Sequence, residues 1–310
     1  MKTTITLEHL TTSVIAVPPF ACEGNVEFCN ESNRSLIRHI EAGGVSTLLY
    51  GGNANVQNWP VSRFGEWLDT LTELVAEETW LIPSIGPDGG KLSDQAALLA
   101  KRSFPTAMLL PFTGPKTDAG FARSVRDFVQ ASGTQAILYM KSDNYLANDV
   151  IESLVADGSL FSVKYAIPRE DTAIDPVLDD LIAAIGKERI VSGFGEPPAL
   201  PHLEQHKLSG FTAGCVCIAP SLSQAFLASL QAGDFKKARS QLKTFDALET
   251  LRETGDPIRV LHTAVTLAGI ADMGAPLPFL TEADEALHPQ IKAAAQELLS
   301  AEMEARSVVA

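Results

Sequence analysis

Residues 136–164 read AILYMKSDNYLANDVIESLVADGSLFSVK, a short apolar run, an amphipathic stretch and a second apolar run. Ala136–Tyr139 and Phe161–Lys164 have the length and composition of buried strands, and 147–156 has helical spacing between them. The unit reads β, α, β, and such a connection makes the two strands parallel. Working outward, the same alternation recurs. Further strands are expected at Val14–Val17, Thr47–Tyr50, Leu81–Ile85, Ala107–Leu110, Ile190–Ser192 and Gly214–Ile218. Helices are expected at about 32–42, 61–77, 92–102, 117–132, 174–186, 197–206 and 221–231. The second of these sets Phe64, Trp67, Leu68, Leu71 and Val75 three and four apart, as one buried helix face requires.

Eight β-then-α units in about 230 residues match the size of a (β/α)8 TIM barrel. Continuous apolar strands suit parallel strands covered on both faces, and a doubly wound open sheet gives the same alternation. The first βα turns carry no G-x-G-x-x-G, and no G-x-x-x-x-G-K-[ST] occurs, which argues against dinucleotide and P-loop sites. Beyond Gly233 the strand signal stops. Three helices are expected there, Asp234–Thr254, Pro257–Ala271 and Glu282–Ala305, separated by Gly255-Asp256-Pro257 and Gly274-Ala275-Pro276. The chain therefore divides into a catalytic barrel, 1–232, and a C-terminal helical region, 233–310.

The 310 residues are 45% hydrophobic and 20% charged, enough for a large core. The formal net charge of −14 argues against nucleic acid or an anionic membrane as partner, since both need cationic surface. No apolar run is long enough to span a bilayer, and MKTTITLEHL has no signal-peptide core. Four sparse cysteines, Cys22, Cys29, Cys215 and Cys217, lack a C-x-x-C pair and read as reduced cytosolic thiols. Cys215 and Cys217 are expected to share one face of the eighth strand.

Chemistry in such a barrel sits at the C-terminal ends of the strands. Lys164 ends the sixth, where partial desolvation would lower its pKa and free the amine as a nucleophile toward a carbonyl. The bland alternative is a lysine snorkelling to water. Tyr139 ends the fifth strand, next door, where a phenol can relay protons or simply cap the core. Gly51-Gly52-Asn53-Ala54-Asn55 follows the second strand, and its glycines let backbone N–H groups face a carboxylate. Gly193-Phe194-Gly195 offers a weaker version after the seventh. His202 and His206 have the i, i+4 spacing of a metal pair, but no third ligand is evident and a solvated helix face is expected. Asp143 and Asp149 form no specific carboxylate pair.

In this order and spacing, the Gly-Gly-Asn turn, Tyr139 and Lys164 resemble the dihydrodipicolinate synthase and N-acetylneuraminate lyase superfamily. Val17-Pro18-Pro19-Phe20, Pro111-Phe112, Gly193 and Ser209–Gly214 add to the resemblance, which covers most of the chain. It implies a class I aldolase-like lyase or dehydratase. Lys164 would form a Schiff base with pyruvate or a 2-keto sugar acid, and Tyr139 would shuttle protons. The N–H groups of Gly52 and Asn53 would hold the carboxylate, with Gly193 and Thr212 lining the pocket. No metal or organic cofactor is implied, because the iminium is itself the electron sink. A cytoplasmic homotetramer built of dimers is implied as well.

The departures are informative. The usual turn is Gly-Thr-Thr-Gly-Glu, so a relay hydroxyl is missing here and Asn53 stands in its place. Thr113 occupies the position of an interface tyrosine, and Asn144 that of an arginine that binds the second substrate, with Lys141 as a nearby cation. These changes point away from the lysine-biosynthetic synthase and toward a catabolic enzyme of 2-keto acids. Two other readings are a silent keto-acid sensor of the same fold and a metal-dependent lyase built on His202 and His206.

Overall fold

The computed structural model describes residues 1–24 and 26–309; Ala310, the last residue of the expected helical region, lies outside them. The eight barrel strands are β1 (Ile15–Ala16), β2 (Thr47–Tyr50), β3 (Trp80–Ile85), β4 (Thr106–Leu109), β5 (Gln135–Met140), β6 (Leu160–Tyr165), β7 (Ile190–Ser192) and β8 (Gly210–Ala213). They are parallel and closed, with β1 bonded to both β2 and β8. Every residue of β3, β4 and β6 is buried, which is why these strands read as unbroken apolar runs.

The helices that cover them are α1 (Asn30–Ala42), α2 (Val61–Leu74), α3 (Gly89–Leu99), α4 (Asp118–Ser132), α5 (Asn148–Ala156), α6 (Pro176–Ile185), α7 (Glu196–Glu204) and α8 (Pro220–Gln231). Their ends follow local chemistry. Thr117 caps α4 by accepting from Gly120 N–H, and Gly133 ends it with φ at +72°. Asp175 caps α6 in front of Pro176. The α2 stripe buries Phe64, Trp67, Leu68 and Leu71, and Trp67 packs edge-on to Tyr50 and Phe20.

Three expectations need correction. The eighth strand is Gly210–Ala213, and Cys215–Cys217 form a 3-10 turn beyond it, so the two cysteines share no strand face. Both are fully buried, which explains the apolar run without a strand. The tail holds four main helices rather than three: α9 (Phe235–Leu242), α10 (Asp246–Thr254), α11 (Pro257–Leu267) and α12 (His288–Val309). The chain breaks at 243–245, where Phe245 is driven into the core. His202 and His206 are buried, not solvated, at 0% and 9% exposure.

The tail is anchored in the barrel. The fully buried Glu302 of α12 accepts from the Ser221 and Leu222 N–H groups at 3.0 and 3.1 Å, so it caps α8 from outside that helix. Arg306 pairs with the same carboxylate at 2.6 Å. Among the described residues no helix is long and apolar enough to cross a membrane.

Candidate active site

Direct register pairs Tyr139 with Lys164 across β5 and β6. Phe161 is an extra residue in β6, inserted between the partners of Ala136 and Ile137, and this bulge sets the phase in which Lys164 meets Tyr139. Lys164 Nζ stands 4.0 Å from the centroid of the Tyr139 ring. Contact is with the ring face, which attracts a cation weakly, and the side chain is 5% exposed. Burial wins. It pushes the Lys164 pKa down from 10.5 to about 7, helped by the charges of Lys141 and Arg252. A substantial share of the amine is therefore neutral near pH 7, unlike a snorkelling lysine. Burial also raises the Tyr139 hydroxyl to about 12, so the phenol keeps its proton.

The six residues Lys164, Tyr139, Gly52, Asn53, Gly193 and Thr212 all line one cavity of about 580 Å³. Gly52 and Asn53 open the 3-10 turn Gly52–Ala54, and their N–H groups have no backbone acceptor among the described residues. The Asn53 side chain is occupied: Nδ2 donates to Val17 O at 2.7 Å. Its carbonyl accepts from His262 Nε2 at 2.9 Å, and burial keeps His262 neutral, with a pKa lowered to about 4. Asn53 thus fixes the turn and makes no hydrogen bond with Tyr139 among the described residues. Gly193 is required for space, since a Cβ would lie 2.6 Å from Ala166 Cβ and 2.7 Å from Tyr165 O. Its N–H is spent on Tyr165 O at 2.7 Å. Thr212 lies within β8, not before it, and its carbonyl accepts from Gly195 N–H at 2.9 Å.

The remaining sequence candidates fall elsewhere. Asp143 holds Arg169 at 2.6 Å, and Arg169 also reaches Asp175 at 2.9 Å, so this wall arginine is ion-paired to two carboxylates. Thr113, Asn144 and Asp149 do not line the cavity, whereas Lys141 does. Lys141 makes no ion pair among the described residues and stands 5.8 Å from the Tyr139 ring. His202 bonds Ser192 Oγ and His206 bonds Asp179, both at 2.8 Å, outside the cavity.

Glu249 and Arg252 of α10 reach the cavity from the tail, and the sequence did not reveal them. Their signal was present as Leu248, Glu249 and Leu251, Arg252 in a helix with apolar positions at i and i+3. Charged residues beside such a stripe ordinarily face water, so nothing distinguished them. Behind them lies fully buried Glu196, raised to about 8 by burial and then by Glu249. Glu196, Cys215 and Glu249 offer ligand atoms within 4.8 Å of one another, the one such metal-competent group among the described residues. Arg252 already supplies the positive charge there, paired with Glu249 at 2.6 Å.

The closed barrel with its helical tail is similar in fold to solved dihydrodipicolinate synthases and sialic acid aldolases. A dihydrodipicolinate synthase from Bacillus clausii superposes with a TM-score of 0.79 at 19% identity, over 96% of this chain and 99% of that one. A Ruminococcus gnavus sialic acid aldolase, in a catalytic lysine mutant, gives 0.82 at 14% identity, over 97% and 99%. An N-acetylneuraminate lyase from Mycoplasma synoviae gives 0.78 at 13%, over 95% and 100%. At these identities the likeness is one of fold. No family model matches the chain, and no curated protein does.

Proposed function

We propose that the protein is a Schiff-base-forming lyase, an aldolase or dehydratase acting on pyruvate or a longer 2-keto acid. The observation that carries this is the buried Lys164, with its pKa near 7, over the Tyr139 ring in a cavity whose floor residues suit a keto acid. The free amine of Lys164 attacks the C2 carbonyl. The resulting carbinolamine loses water, its oxygen taking a proton from the Tyr139 hydroxyl, and a protonated imine remains. That cation then accepts the electron pair released when a C3 proton departs or the C3–C4 bond breaks. The keto acid's carboxylate lies against the Gly52 and Asn53 N–H groups, whose partial positive charge faces the cavity. Gly193 and Thr212 bound the same space. Such chemistry needs no organic cofactor or metal.

The reading extends to a cytoplasmic homotetramer of dimers, with 1–232 as the catalytic barrel and 233–310 as the helical region. The four unpaired cysteines suit a reducing compartment, and sizing in solution tests the assembly. Borohydride trapping with pyruvate tests the chemistry. A reduced adduct on the peptide holding Lys164, lost in Lys164→Ala, is expected. No adduct with pyruvate or a panel of longer keto acids would overturn the reading and favour a silent binding protein.

A further inference from the structure

One wall of the cavity belongs to the tail, where Glu249, Arg252 and Glu253 of α10 stand three and four residues apart. The Arg252 side chain is 11% exposed. Its Nη1 donates to Glu249 Oε1 at 2.6 Å, while Nε is buried without a partner. Nη2 makes no hydrogen bond among the described residues. The guanidinium sits against Gly214, where a Cβ would come 2.5 Å from Cζ and 2.6 Å from both terminal nitrogens. Gly214 has φ −97° and ψ −43°, which any residue adopts. Its backbone does not call for glycine; the space it leaves is filled by the guanidinium.

Burial and Glu249 keep Glu196 largely protonated, so Arg252 has one anionic partner there, not two. Lys141 adds an unpaired cation to the same cavity, and Arg169 is consumed by Asp143 and Asp175. Glu253 is the one further anion on this wall, and it is exposed to solvent. Nε is sealed from the cavity, and Nη2 together with the second N–H of Nη1 forms a donor pair suited to a planar oxyanion.

We propose that Arg252 is a specificity-determining residue that binds a second carboxylate, at the end of the substrate remote from the ketone. The preferred substrates are then 2-oxo dicarboxylic acids, and Glu249 is a positioning residue that holds Arg252 in place. The inference rests on the Schiff-base reading, because the first carboxylate is assigned to Gly52 and Asn53.

The test compares 2-oxoglutarate with pyruvate in borohydride trapping, using Gly214→Ala and the double variant Glu249→Gln, Arg252→Gln. Gly214→Ala keeps every charge, suits the backbone angles, and puts its methyl against three atoms that all belong to the guanidinium. In both variants the ratio of half-saturating concentrations, 2-oxoglutarate over pyruvate, should rise at least about tenfold, the worth of one charged hydrogen bond. An unchanged ratio in Gly214→Ala overturns the proposal. Calorimetry with glutarate, which has both carboxylates and no ketone, separates this from the imine chemistry. Glutarate should bind the wild type at least about tenfold more tightly than Gly214→Ala. Equal binding, or none to either, overturns the Arg252 assignment, whereas failure of trapping alone strikes at Lys164.

Discussion

Lys164 Nζ lies over the face of the Tyr139 ring, 4.0 Å from its centroid, and not against its hydroxyl. The ring wall and the closed strands strip water from the amine, and the phenol oxygen is left for a substrate atom. One residue thus lowers the nucleophile's affinity for protons, and its hydroxyl remains free to move a proton afterwards.

The pH profile of imine formation follows. The neutral amine attacks, so the initial rate of trappable adduct rises with pH and levels off above about 7, the folded pKa of Lys164. A lysine at its ordinary value would gain about tenfold per pH unit through pH 9. Rates measured by mass after rapid quenching, from pH 5.5 to 9, distinguish the two.

The same burial costs stability. Folding lowers the Lys164 pKa from 10.5 to about 7, so below 7 both states are charged and the full penalty is present. As pH rises from about 7 to 10.5 the open chain still binds the proton that the folded chain has released, and wild-type stability climbs. Lys164→Met removes the penalty. It should be more stable by roughly 5 kcal/mol at pH 6 and converge with the wild type near pH 10.5, by urea unfolding.

Tyr139→Phe keeps the ring face and deletes the hydroxyl. Because that hydroxyl supplies the proton that leaves with water, adduct on Lys164 should accumulate about 10²–10³ more slowly, and turnover of a cleavable substrate should fall by at least as much. Adduct formed at the wild-type rate would mean that the hydroxyl takes no part in forming the imine.

Gly193 and Gly52 line the same cavity yet should respond in opposite ways. Gly193→Ala forces a methyl to 2.6 Å from Ala166 and should cost about 1–3 kcal/mol. A Cβ at Gly52 meets nothing within 4 Å, so Gly52→Ala should unfold at nearly the wild-type midpoint. Parallel denaturation curves decide this.

Much of the barrel was legible because buried parallel strands and their covering helices obey two different periods. Strands β1 to β7 fall within three residues of their expected ends at every terminus. Failure came where burial had another cause. Cys215-Val216-Cys217-Ile218 is as apolar as a strand, but Cys215–Cys217 form a 3-10 turn packed against α8 and α1, and composition cannot separate the two. His202 and His206 lie on the inner side of their helix, against Ser192 and Tyr165 of the barrel and Asp179 of α6, so the face that reads as outer is interior. Glu249 and Arg252 were missed for the converse reason: their helix turns its charged side toward a cavity instead of water. Lys164 and Tyr139 were legible because each ends an apolar run, where a polar side chain has little reason to be unless it faces the barrel mouth.

The Glu302 carboxylate that finishes α8 bears on how the chain matures during synthesis. The first strand waits for its partner in β8 until residue 213 has emerged, and α8 waits for its cap until residue 302. At about 5–20 residues per second, the stretch from β1 to β8 leaves an open barrel on the ribosome for roughly 10–40 seconds. Over that interval the edges of β1 and of the newest strand are unprotected, and nascent chains of this protein are the form most in need of a chaperone.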